Sequence, residues 1–194
     1  THFRRRMEKL TMSRFIPVLV GLLTALTAST PLHAQNASLE PPHVSNITQQ
    51  QEMLKQDVAL QLAPVKSRQD LEQHLRSSGS ASPLAALSES GKRRFIASLK
   101  FNDSGITSFS YGDLQAELNA SQIYQVMSLF GAQHTVAMMR NVRIQEAVDE
   151  QIMRPLGGPP GPVCPSQPCD YEGYECAKKA TCSYNINTIC MRNC

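Results

Sequence analysis

Apolar residues run almost unbroken from position 15 to 28 ("FIPVLVGLLTALTA"), and a polar stretch without period follows over 35–50 ("QNASLEPPHVSNITQQ"). From residue 51 the pattern changes again. Leu54, Val58, Leu62, Leu71 and Leu75 recur at helical spacing, interrupted by Pro64, which predicts two short helices with the second over 68–75. "SSGSAS" at 77–82 reads as a loop, and Ser82-Pro83 as a helix start, a capping hydroxyl followed by proline. Phe95, Ile96, Leu99 and Phe101 share one face of a further helix, and "NDSG" at 102–105 has turn chemistry. "ITSFSY" at 106–111 is long enough for a single strand or an extended connector. Ser110 with Asp113 and Asn119 with Gln122 have capping-box spacing. They predict a short helix over 111–118 and a long one from 120, with Ile123, Met127, Phe130, Ala137 and Met138 as its apolar stripe and a bend at Gly131. Val142, Ile144, Val148 and Ile152 carry the pattern to Arg154.

Periodicity ends at "RPLGGPPGPVCPSQPC", whose prolines and glycines cannot continue a helix. The expected fold is therefore mainly α. A small helical body with a short extended segment is followed by a Pro/Gly neck and a disulfide-rich, largely irregular C-terminal tail. The boundaries read 1–34 leader, 35–50 flexible arm, 51–154 helical domain, 155–163 linker and 164–194 cysteine-rich module.

All six cysteines, Cys164, Cys169, Cys176, Cys182, Cys190 and Cys194, fall in that last module, with 4, 6, 5, 7 and 3 residues between them. Their even number favours disulfides. So does energetics: each ordered residue costs roughly 1–2 kcal/mol of backbone entropy, and the tail has few large apolar side chains to offset it. The spacing leaves the connectivity open. A zinc site would show Cys-x2-Cys or close Cys/His pairs, and none occurs. A catalytic thiol would need a partner base, and none is adjacent. Neither a metal nor another cofactor is expected.

The N-terminal run acquires meaning from its flanks. Arg4, Arg5, Arg6, Lys9 and Arg14 precede it, and Pro31 and a small residue, Ala34, follow it, which is the layout of a secretory signal peptide cut after Ala34. The apolar run falls short of the ~20 residues that span a bilayer. The leader holds five of the 19 basic residues and one of the 16 acidic ones, so the formal charge of +3 becomes −1 in the remainder, 14 basic against 15 acidic. A concentrated basic face for nucleic acid is missing. The expected localisation is secreted or periplasmic, with no membrane association after cleavage.

Other candidate chemistry is weaker. His134 in "FGAQHT" lacks a readable nucleophile or acid nearby. Asn102, Asp103, Ser104 and Asp113 resemble calcium-loop donors, but Thr107 and Asp113 stand where the loop needs glycine and glutamate. Asn36, Asn46, Asn102 and Asn119 lie in Asn-x-Ser/Thr. The leading expectation is an exported non-enzymatic protein whose stapled tail binds another macromolecule, a protein, with Tyr171, Tyr174 and Tyr184 as contact residues. Two alternatives are a precursor that releases the tail as a bioactive, toxin-like peptide, and a hydrolase using His134.

Overall fold

The computed structural model describes residues 42–154 and 169–194, and side chains from residue 50 onward. The leader, the Pro/Gly neck and Cys164 lie outside the described residues. Helix α1 (Pro42–Leu62) begins inside the segment read as an arm. After Pro64 comes α2 (Arg68–Ser78), started by Ser67, whose hydroxyl accepts the Asp70 N–H at 3.1 Å. A 3-10 turn, Gly79–Ala81, occupies the segment read as a loop, and Ser82 caps the element after it by accepting the Leu84 N–H, but that element is a second 3-10 turn, Pro83–Ala86, rather than an α-helix. Helix α3 (Glu89–Ser98) leads into a hairpin of β1 (Lys100–Asn102) and β2 (Gly105–Ser110). Helices α4 (Gly112–Glu117) and α5 (Ala120–Ser128) follow, the second with the full Asn119–Gln122 capping box.

The long helix expected from residue 120 stops at Ser128. Gly131 adopts φ 68°, and a Cβ there would lie 2.4 Å from the Ala59 carbonyl oxygen and 2.7 Å from Leu60 Cα. The backbone of α1 therefore passes where a side chain would stand, and only glycine permits both the approach and the left-handed turn. The chain continues as a 3-10 turn, Gln133–Met138, and then α6 (Ala147–Ile152). Asp149 is fully buried beneath α5. Its carboxylate accepts N–H groups from Ser121 (2.7 Å), Gln145 (2.8 Å) and Glu146 (3.0 Å). Burial alone would raise its pKa, but these donors outweigh it and bring the pKa down to about 2.

The largest departure from expectation is the tail, and it overturns the mainly-α reading. Residues 171–190 are not irregular. They form a β-hairpin, β3 (Tyr171–Lys178) and β4 (Thr181–Cys190), that completes a four-stranded antiparallel sheet in the order β1-β2-β4-β3. β4 pairs with β2 through Ser108↔Cys190, Phe109↔Ile189 and Ser110↔Thr188. Ile189, Cys190 and Met191 thereby join the core with Phe95, Ile106, Phe109, Tyr111, Leu114, Ile123, Met127 and Phe130, all buried. The fold is mixed, helices packed on one antiparallel sheet, and the cysteine segment shares its core with the body.

The physical reason is that β2 is buried along nearly its whole length, including Thr107 and Ser108. A buried strand needs its backbone groups paired on both sides. β1 supplies one side, and the hairpin supplies the other, extended by a Met191 N–H to Thr107 O bond of 2.8 Å.

Candidate functional site

The cysteines of the hairpin are oxidised. Cys176 is bonded to Cys194 and Cys182 to Cys190, and among the described residues no cysteine is free. Cys169 is also disulfide-bonded. Such bonds form in oxidising compartments. Among the described residues no helix is long and apolar enough to cross a membrane.

The Cys182–Cys190 bond reports an unusual strand path. A straight strand would separate these Cα atoms by roughly 26 Å, yet they lie 6.0 Å apart. β4 doubles back between them. Its partner in β3 moves only from Tyr174 to Glu172 while β4 advances from Tyr184 to Ile189. The extra residues bow outward, with Asn187 at φ 56° and the Thr188 hydroxyl donating to the Asn185 carbonyl. Asn187 O is held in turn by the Tyr111 N–H at 2.8 Å and the Ser110 hydroxyl at 3.3 Å.

The three tyrosines singled out in the sequence converge on this hairpin. Tyr174 stands directly opposite Tyr184 in the β3–β4 register. Tyr171, three residues earlier, would face the other side of a regular strand. A bulge between Glu172 and Tyr174, with Gly173 at φ 83°, restores it to the same side. The rings meet edge to face, Tyr171–Tyr174 at 6.2 Å and Tyr174–Tyr184 at 6.1 Å between centroids. They are 40%, 41% and 75% exposed, and Ile186 just beyond is 68% exposed. Sequence reasoning did not single out Ile186.

The strand carrying these rings is anchored from behind. Glu172 accepts the Tyr111 hydroxyl at 2.6 Å and the Arg140 guanidinium at 2.7 Å. Burial, and then the Glu172 carboxylate, push the Tyr111 phenol up to about 12, so it remains a donor at any physiological pH. Glu175 is paired with Lys100 at 2.9 Å, and that ammonium holds its carboxyl below the ordinary glutamate range. Both acids of β3 are thus engaged on the body.

His134 lies elsewhere and belongs to a different arrangement. Its Nε2 is 2.7 Å from Asp170 Oδ2, with both side chains at least nine-tenths buried, and Asp170 Oδ1 accepts the Arg192 N–H at 2.7 Å. The other ring nitrogen, Nδ1, is buried without a hydrogen-bond partner. This pair ties the 3-10 turn of residues 133–138 to both ends of the hairpin. Asp170 was missed because it lies far from His134 in sequence. Of the residues resembling a calcium loop, Asp113 is taken by Arg94 and Asn102 accepts the Ser104 N–H at 2.9 Å.

No family model, no curated protein and no solved structure matches this chain. The surface and its chemistry stand on their own geometry.

Proposed function

We propose that this is an exported, non-enzymatic protein that binds another protein outside the cytoplasm through the tyrosine face of its C-terminal hairpin. The observation that carries this reading is the continuous, solvent-exposed edge-to-face row Tyr171–Tyr174–Tyr184 on a disulfide-braced hairpin. Large aromatic side chains are strong interface anchors. A hairpin already held by two disulfides and a sheet loses little further freedom on binding, which favours affinity. The acids beside the row are neutralised by Lys100 and Arg140, so the face offers aromatic surface rather than net charge, which suits a protein partner better than a nucleic acid or a membrane.

The precursor reading is disfavoured by the core. Releasing the tail would remove β2's second partner and expose Ile189 and Met191. The hydrolase reading is disfavoured by the burial of His134 and the unpartnered Nδ1.

The test uses the oxidised chain as immobilised bait against the secreted or periplasmic fraction of its source cells, with any captured protein re-measured against Tyr174→Ala and Tyr184→Ala variants. Each substitution is expected to weaken binding at least tenfold, about 1.4 kcal/mol, while circular dichroism stays unchanged. A captured partner that binds both variants as tightly as the parent would overturn the proposal.

A further inference from the structure

The two disulfides of the hairpin lie against each other. The sulfur atoms of Cys176, Cys190 and Cys194, drawn from both bonds, sit within 4.8 Å of one another, and Cys182 is bonded to Cys190. Four thiolates around a tetrahedral zinc-class ion at ~2.3 Å lie about 3.8 Å apart. The three clustered sulfurs thus need shifts of only about an ångström or two to reach that spacing once the bonds between them open, and Cys182, carried beside Cys190 by their shared bond, is the fourth donor within reach. We propose that the reduced hairpin is a soft-metal site, in which Cys176, Cys182, Cys190 and Cys194 together hold one Zn2+-class ion. The disulfide pair and the metal are alternative braces of one fold.

The chemistry balances with a dithiol as reductant. Each disulfide takes two electrons and two protons from one dithiol, which leaves as its own cyclic disulfide, so two dithiols yield four thiols. Binding of a divalent ion then releases the four thiol protons to solvent and leaves a tetrathiolate site of charge −2. The surroundings suit that charge. The Lys179–Ala180 turn, with Lys178 just before it, is held against the cluster by an Ala180 N–H to Cys194 O bond of 2.8 Å.

The scaffold that gathers the sulfurs does not depend on the disulfides alone. Cys190 is buried and paired with Ser108 of β2, and Cys176 faces Cys182 across the hairpin. Met191 bonds Thr107, and the Cys194 N–H bonds Met191 O at 2.9 Å. Sequence spacing hides the site, because it lacks Cys-x2-Cys. The ligands come from two strands and the residue that closes the C-terminal turn.

The experiment titrates the full chain, reduced with an excess of dithiol and then freed of it without oxygen, with Co2+ alone as a spectroscopic probe, followed by Zn2+. The expected result is one Co2+ per chain with thiolate charge-transfer and tetrahedral visible bands, both displaced by one Zn2+. Cys194→Ser and Cys176→Ser should each weaken binding tenfold or more. The Cys164→Ser/Cys169→Ser double variant, which leaves the cluster intact, should bind as the parent does, and native mass spectrometry should count one ion in both. A reduced parent chain that takes up no stoichiometric ion overturns the proposal, as does equal loss of binding in the Cys164/Cys169 variant.

Discussion

Removing either hairpin disulfide should cost the whole protein, and the size of the cost follows from the loops that the bonds close. The Cys176–Cys194 bond spans 18 residues and the Cys182–Cys190 bond spans 8. The chain-entropy relation gives about 3.2 kcal/mol for the first and about 2.5 kcal/mol for the second at 25 °C. Both values are large beside a typical total stability of roughly 5–15 kcal/mol. Alanine pairs are the suitable perturbation, Cys176→Ala/Cys194→Ala and Cys182→Ala/Cys190→Ala, because they leave no thiol to exchange and add no polar atom at buried Cys190.

Urea unfolding of the oxidised full chain, followed by circular dichroism, measures the change. Because β4 is hydrogen-bonded into the sheet between β2 and β3, hairpin and body are expected to unfold in one transition with its midpoint lowered in both variants. The shorter loop is nested in the longer, so each bond shortens the chain that the other closes, and combining all four substitutions should cost more than the two pair losses added together. A loss below about 1 kcal/mol in both pairs would refute the reasoning, since the sheet alone would then be holding the hairpin.

Asp149 gives a second prediction. Its folded pKa of about 2 against an ordinary 3.8 is worth about 2 kcal/mol, a contribution complete above about pH 4 and lost as pH falls through about 2. Asp149→Asn should lose that amount at neutral pH and flatten the acid limb of a stability-versus-pH curve. Gly131→Ala should destabilise by more than about 2 kcal/mol in the same urea assay, since it combines a left-handed backbone with a Cβ pressed on Ala59. An unchanged midpoint in that variant would mean that α1 does not pack there.

The parts of this fold that were legible in the sequence are those set by local chemistry. The Asn119–Gln122 box is a short-range exchange of two hydrogen bonds, and it is present as read. The hairpin was not legible, for reasons that can be named. Its turn is Lys179–Ala180, with Ala180 at φ 56° where glycine or asparagine would have signalled the reversal. The Gly173 bulge shifts the alternation in β3, and the excursion at 185–188 breaks it in β4. What remained was a row of cysteines, which drew the reading toward an irregular stapled tail. The β-formers Tyr171, Tyr174, Thr181, Tyr184, Ile186, Thr188 and Ile189 were the signal that outlasted these interruptions. The tyrosines were identified singly, but their convergence needed the bulge and the register. The pairing of His134 with Asp170 and of Cys182 with Cys190 depends on long-range folding that no spacing encodes.

The joining of hairpin and body bears on both proposals. An independent stapled module would owe its order to its cross-links, and reduction would dissolve the tyrosine row together with the sulfur cluster. Here the strand that carries Cys190 is also the strand that satisfies β2, and Ile189 and Met191 lie in the common core. Opening the disulfides removes a few kcal/mol of bracing but leaves those contacts in place. Reduction should therefore loosen the outer half of the hairpin, where Tyr184 and Ile186 are most exposed, before it frees the inner half. A metal ion bound by the four thiols would restore the constraint on the outer half, so binding through the tyrosines should weaken on reduction and recover when zinc is added.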